Sequence, residues 1–385
     1  VRVSSHDPDR LRVIIGHRPP APVTRYVDQV IGENHGDIDF QFFGGLFKRF
    51  DVDVVHLLDA AQVLRKGRTG AQRRAAAHAL VATLAEHRIA LVQTVLPVAG
   101  YALDRRDESH RILDRATTVF ITLDETTVTP DPGRTTVIPH VHYRDRFLGF
   151  PVTTQVPGRL LCLSRTGLSR AAAGPLKVFS VMDTPGVSLR VVGDADPDLD
   201  ELIPRAVRRN PDSVSAAVEH LSDAELVREL SAAELVMLPG INTFADLTAL
   251  FMALSLDRPV VVPRSTTASL LADQVGPGWV TCLPGPVTAE LLDATIRTVR
   301  EQVRTPRPDL DGRDPETVAE QYATVFHRAA ERVRTDGQAV LAGEDTLPDT
   351  LLGHLLGHQE TPSRHPGSLP SGAWTFLSSD RDSSA

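Results

Sequence analysis

Residues 233–263, AELVMLPGINTFADLTALFMALSLDRPVVVP, read as strand, glycine turn, helix and strand. Residues 234–238 are a short apolar run, broken by Pro239-Gly240. Residues 243–255 carry apolar side chains at helical spacing, and 258–262 form a second buried strand. A helix that starts after a glycine turn, at the carboxyl end of a parallel strand, points free N–H groups and the positive end of its dipole at whatever sits there. In α/β folds that edge is where ligands bind. An ordinary βαβ unit that holds nothing would read the same way.

The alternation extends along most of the chain. Strands are expected at 11–15, 52–58, 89–95 and 117–123, with a strand-like run, TTVIPH, at 135–140. Helices are expected between them at 23–31, 71–86 and 107–114. A break at 150–158 is followed by a second series: strands at 159–163, 188–193, 216–219 and 279–283, and helices at 174–182, 199–208, 223–231, 288–303 and 315–334. This predicts an α/β chain with two Rossmann-like, doubly wound parallel sheets facing a cleft. We divide it into an N-terminal domain (1–150), a C-terminal domain (151–335) and a Pro/Ser/Gly-rich tail (336–385), largely disordered apart from one short helix in LPDTLLGHLLGH.

Length and charge narrow the function. At 385 residues the chain suits two domains. The net charge of −8 argues against a nucleic-acid partner. No run of 18 apolar residues suggests a membrane span, and the first residues lack the pattern of a signal peptide, so a cytoplasmic protein is expected. Cys162 and Cys282 sit in apolar runs and read as buried, reduced thiols. Cys/His spacing suggests no metal site.

Several residues are placed to do chemistry. Arg165 and Arg170, in LSRTGLSRAAAG after the first strand of the second domain, suit a diphosphate: guanidinium is always charged and binds oxygen anions in pairs. A solvated basic loop is the other reading. IPHVHYRDRF (138–147) gathers His140, His142, Tyr143 and Arg144. They read either as acid/base and phosphate-binding groups or as a polar interdomain hinge. Gly193 ends a strong strand, LRVVG. Gly240, Asn242 and Thr243 form the turn ahead of the helix at 243–255. Asp246, in its first turn, either complements the helix dipole or receives a ligand hydroxyl.

Taken in order, these segments resemble the GT-B glycosyltransferases of the retaining, family 4-like group, and in the first half a bacterial exopolysaccharide branch of them. SRTGLSR resembles the family's Gly-Arg-x-x-x-x-Lys-Gly loop, with Arg165 and Arg170 at its two cationic positions. VVGDADPD resembles its Val-Gly turn, and ALSLDRPVVVP its entry to the following strand. TTVIPHVHYRDRF is similar to the Ile-Pro-His-Gly-His-Tyr-Arg-Asp motif of the exopolysaccharide branch. The likeness spans residues 10–335. It implies a helix near 315–335 that crosses back to the first domain. It also implies transfer of a sugar from a nucleotide-diphosphate donor to a glycan or lipid-linked acceptor in polysaccharide or glycolipid assembly.

The donor is then a co-substrate, and no resident cofactor is expected. His140, His142 and Asp246 take the catalytic positions. Arg165, Arg170, Gly193, Gly240, Asn242, Thr243, Tyr143 and Arg144 contact substrate. Retention at the anomeric carbon and independence from metals are also implied, and a lipid-linked acceptor would bring peripheral contact with the inner face of the membrane. The chain departs from the family where two glutamates seven residues apart usually stand, near Phe244 and at Met252. Leu96-Pro97 also replaces a His-Asn pair. Those departures define the alternative: a catalytically degenerate relative that binds or scaffolds within a glycosyltransferase system.

Overall fold

A computed structural model describes residues 10–16, 29–31, 37–42, 51–58, 64, 69–95, 107–164, 169–180, 186–193, 199–219, 221–238, 240–241 and 244–336. The proposed tail, including its short helix, lies outside the described residues, as do most of the helix expected at 23–31 and the Leu96-Pro97 pair.

Twelve described strands form two six-stranded sheets. The first contains β1 (Leu11–Ile15), β2 (Ile38–Phe42), β3 (Val54–Leu57), β4 (Ala90–Val95), β5 (Val119–Thr122) and β6 (Thr135–Val137), in the order β2-β1-β3-β4-β5-β6. The second contains β7 (Arg159–Ser164), β8 (Ser188–Gly193), β9 (Val214–Val218), β10 (Leu235–Met237), β11 (Val260–Pro263) and β12 (Val280–Leu283), in the order β12-β11-β10-β7-β8-β9. Every pairing is parallel. Central strands such as β3 and β4 are buried at every position, as expected of a parallel sheet covered on both faces.

The helices start where side chains can satisfy their free N–H groups. Helix α1 (Gly70–Glu86) opens on a capping box between Thr69 and Gln72, and α2 (Glu108–Ala116) on Asp107. In the second half run α3 (Ser169–Phe179), α4 (Leu202–Arg209), α5 (Asp223–Ala232), α6 (Phe244–Ser255), α7 (Thr266–Gln274), α8 (Ala289–Glu301) and α9 (Pro315–Asp336). A second capping box, Ser222 with Glu225, starts α5, and Ser265 caps α7. Helix α6 is buried nearly all round, which only a helix packed from several sides can be.

Two elements escape the sequence reading, and one is misplaced. Strand β2 lies at the edge of its sheet, and its Ile-Asp-Phe-Gln-Phe alternation gives no continuous apolar run. Helix α7, TTASLLADQ, is short and rich in threonine and polar residues. Helix α3 begins at Ser169, five residues before the expected start at Gly174, so it carries Pro175 inside rather than in its first turn. Arg170 accordingly lies within a helix, not in the turn that precedes one.

One hydrophobic core joins the two sheets. It includes Val13, Val92 and Ile121 of the first, Leu161, Val236 and Val262 of the second, and much of α6 and α9. Helix α9 packs against the first sheet. The Tyr322 hydroxyl accepts from Gln29 Nε2 at 3.4 Å, the Phe326 ring lies 5.2 Å from that of His56, and Arg334 meets Asp53 at 2.6 Å. Burying a Tyr322 or Phe326 side chain contributes about 1.5–3 kcal/mol each, enough that α9 holds the first domain chiefly by packing.

Candidate functional site at the facing sheet edges

In the second sheet the strand order reverses between β10 and β7. At such a switch point the connections leave on opposite sides and open a crevice at the carboxyl edge. Ser164 pairs with Gly193 across β7 and β8, and Met237 pairs with Cys162 across β10 and β7. Ser164, Gly193 and Leu238 therefore share one edge. Gly193 has φ +118°, a conformation that favours a residue without Cβ, so the chain can leave β8 at that edge without strain. Gly240 is buried. Arg165, Asn242 and Thr243 lie outside the described residues, and Arg170 stands in the first turn of α3. Helix α6 begins at Phe244, immediately beyond this edge, with buried Asp246 in its first turn.

The run at 138–147 packs against the other side of α6. His140 is fully buried. Its Nε2 lies 3.2 Å from Thr248 Oγ1 and its Nδ1 2.9 Å from the Val141 carbonyl, and its ring stacks on Phe251 at 5.2 Å. Burial pulls its pKa down to about 3, aided by the positive charge of Arg313. The expectation that His140 works as an acid/base is therefore corrected: it is a neutral ring closed off from solvent. Its two nitrogens are engaged within the joint between the domains.

Tyr143 and Arg144, expected at the substrate, stand in the same joint. Tyr143 is 4% exposed, stacks on Phe147 at 5.9 Å, and its backbone N–H donates to Ser255 Oγ at 2.8 Å. Arg144 Nη2 donates to the Pro308 carbonyl at 2.9 Å and lies 4.0 Å from Asp257. Both side chains fix the chain at the domain crossing. His142 differs: it is half-buried, and its Nδ1 has no hydrogen-bond partner among the described residues. Burial lowers its pKa while Asp145 and Asp314 oppose that effect.

Sequence reading gave no sign of Arg313, which ties the joint together. Its Nη1 donates to the His140 carbonyl at 3.2 Å and its Nη2 to Gln274 Oε1 at 2.9 Å. The guanidinium lies 4.6 Å from the centre of the Phe251 ring, and its carbonyl accepts from His142 N at 2.7 Å. Burial lowers its pKa to about 10, which leaves it charged at neutral pH. In sequence it is one arginine in the polar loop DGRDP, a pattern that says only loop.

Beside the joint lies a cavity of about 770 Å³. Its walls come from the ends of β5 and β6, the last turns of α7, the 309–313 loop and the first half of α9. Among the described residues no group of three or more His, Cys, Asp or Glu could hold a metal ion, and no helix is long and apolar enough to cross a membrane.

Two parallel Rossmann-like sheets, with carboxyl edges carrying the turns and a C-terminal helix returning to the first, make this a GT-B fold. An Anabaena protein, HepE, solved with UDP superposes with a TM-score of 0.53, covering 85% of this chain and all of that one at 12% identity. An Escherichia coli protein solved with UDP-2-fluoro glucose gives 0.50, covering 85% of this chain and 98% of that one at 8% identity. At such identities the likeness is one of fold. In sequence, the chain is similar to two Xanthomonas campestris pv. campestris proteins named GDP-mannose:glycolipid 4-beta-D-mannosyltransferase. It is 36% identical to each over 235 residues, which is 60% of this chain and 65% of the relative. The matched part of the chain thus spans less than two thirds of the length of these relatives. No protein-family model matches it.

Proposed function

We propose that this protein is a glycosyltransferase that moves a hexose, mannose first among the candidates, from a nucleoside-diphosphate donor to a glycolipid acceptor in polysaccharide or glycolipid assembly. The observation that carries the reading is the 36% identity to a mannosyltransferase, on a fold with a crevice at the β7/β10 switch point. The donor diphosphate sits at that crevice. Arg165, Arg170 and the N-terminus of α6, around Asn242 and Thr243, stabilise the negative charge that builds on the leaving group. Gly193 and Gly240 let backbone approach the ligand, and Asp246 receives a sugar hydroxyl. In this reading the arginines replace a metal as the source of positive charge, so chelator leaves turnover unchanged.

Acid/base work falls to His142, the half-buried histidine of the 138–147 run. Domain closure about the joint limits donor hydrolysis. The resemblance implies retention at the anomeric carbon, whereas the relative's name specifies a β-linked mannosyl product. The anomeric signal of the product, read by NMR against that of the donor, decides between retention and inversion. The function itself is tested by incubating the protein with radiolabelled GDP-mannose and a glycolipid fraction. Label in the lipid phase, absent with Arg165→Ala, supports the reading. A protein that binds nucleotide but transfers no label from any sugar nucleotide contradicts it and returns the degenerate, scaffolding relative.

A further inference from the structure

The segment LPDTLLGHLLGH, residues 347–358, has no part in the proposed reaction and lies outside the described residues. Wound as a helix, it carries Leu347, Leu351, Leu352, Leu355 and Leu356 on one half of its surface, at i, i+4, i+5, i+8 and i+9. His354 and His358 border that stripe on one side and Asp349 on the other. Thr346 and Asp349 have the spacing of a capping box ahead of the apolar run. A helix this short, with Gly353 and Gly357 inside it, does not hold together alone in water. Its leucine stripe needs a surface to fold against.

The cavity beside the joint runs as a groove along α9. From that helix it takes Thr317, Glu320, Gln321, Thr324, Val325 and Arg328, one stripe about 16 Å long. Its floor is apolar, with Leu123, Leu271 and Val325 all buried. Val137 at its lip is 42% exposed, an apolar side chain left for something to cover. A helix over 347–358 is about 18 Å long, the length of the groove. Helix α9 ends at Asp336, about 12 Å beyond Arg328. Residues 337–346 reach up to about 33 Å, enough to turn the chain back along the same face as an αα-hairpin. In that antiparallel register Leu347 starts beside Arg328 and His358 ends beside Thr317. The charges then match at both ends. His354 and His358 come to the end where Asp309, Asp311 and Glu320 stand, and Asp349 comes to the end that carries Arg328. Imidazole N–H donates to carboxylate, and carboxylate accepts from guanidinium.

We propose that residues 347–358 fold into this groove as a helix antiparallel to α9, a strap supplied by the same chain. The walls come from β6 on one side and α7 on the other, so the docked helix ties the first domain to the second. This docking is independent of the transferase reading.

Hydrogen–deuterium exchange by mass spectrometry on the full chain tests it. Amides of 351–358 should exchange at least tenfold more slowly than those of a free peptide with the same sequence. Leu351→Asp combined with Leu355→Asp spoils the stripe and should restore the free rate. Thr324→Trp, which fills the groove from an exposed position, should do the same. Undocking by the leucine pair should also speed exchange at 270–274 several-fold. Amides of β4 report that each variant is folded; if Thr324→Trp loses their protection, Glu320→Trp, exposed on the same stripe, takes its place. Unprotected amides at 351–358 in the native protein would overturn the proposal. Protection that survives a filled groove would also overturn it, because the segment would then sit elsewhere. So would protection that fades on dilution, which would seat the segment on a second copy of the chain. Exchange at 270–274 that ignores the leucine pair would remove the strap.

Discussion

At the scale of single residues, His140 shows how environment decides chemistry. A histidine in IPHVHYRDRF reads as an acid or base, because imidazole titrates near neutrality. Enclosed by Phe244, Phe251 and Tyr143, it is held neutral with a pKa near 3. His56, buried under α9 with its Nε2 2.9 Å from Thr94 Oγ1, is shifted to about 3 for the same reason. The linkage has a definite sign. Both rings bind a proton near pH 6.5 when unfolded and only near pH 3 when folded, so the unfolded chain takes up more protons between those values. Their contribution is complete above about pH 6.5 and is lost as pH falls toward 3, at up to about 1.4 kcal/mol per pH unit for each ring. Urea midpoints measured from pH 7 to pH 4 should fall steadily, and His140→Phe should flatten the fall by about one proton. An unchanged pH slope in that variant would mean His140 is solvated. Nothing near it in the sequence announces this, because the Thr248 that meets its ring lies 108 residues on.

At the scale of elements, the buried strands were legible and the exceptions have local causes. Segments covered on both faces, such as β4, write their burial as an unbroken apolar run. The edge strand β2 has one solvated side and so lacks that signature. The Gly-Pro of α3 looks like a helix start but lies inside the helix. The break before the second sheet was also visible, and its geometry explains why it tolerates so little. Gly158 has φ +79°, and a Cβ there would lie 1.7 Å from the Gly186 carbonyl oxygen. Gly149 has φ +83° with nothing within 4 Å. Gly149→Ala should therefore cost only the backbone term, about 1 kcal/mol. Gly158→Ala must also move β7 away from the start of β8, and should cost more than about 3 kcal/mol or prevent folding. Thermal midpoints of the two variants compare these costs directly, and equal midpoints would show that the Gly158 contact relaxes freely.

At the scale of the whole molecule, the two sheets meet through a joint rather than a single hinge. Arg313 binds α6, α7 and the 140–142 run at once, with no carboxylate in hydrogen-bond contact among the described residues. Methionine preserves much of its bulk but none of its donors. Arg313→Met should leave the buried His140 carbonyl unsatisfied, lowering stability by about 1–3 kcal/mol. It should also loosen the domains, visible as a larger radius of gyration by small-angle X-ray scattering. A variant as stable and compact as the native protein would remove Arg313 from the joint. The architecture was readable from alternation alone, whereas the joint was not, since it is made of contacts between residues far apart in sequence. The proposed donor site is intermediate: strand order suggests its place, and the resemblance its arginines.

The central claim is that the β7/β10 edge holds a nucleoside diphosphate through Arg165 and Arg170. Thermal unfolding of the full chain with GDP, UDP and ADP, repeated on the Arg165→Ala/Arg170→Ala double variant, tests it most directly. A ligand at 100 times its dissociation constant adds about 2.7 kcal/mol to the folded state. The account predicts a rise of several degrees with one nucleotide, GDP first among them, and no rise in the double variant. A native protein that no nucleotide stabilises, or a shift that persists without both arginines, would contradict it.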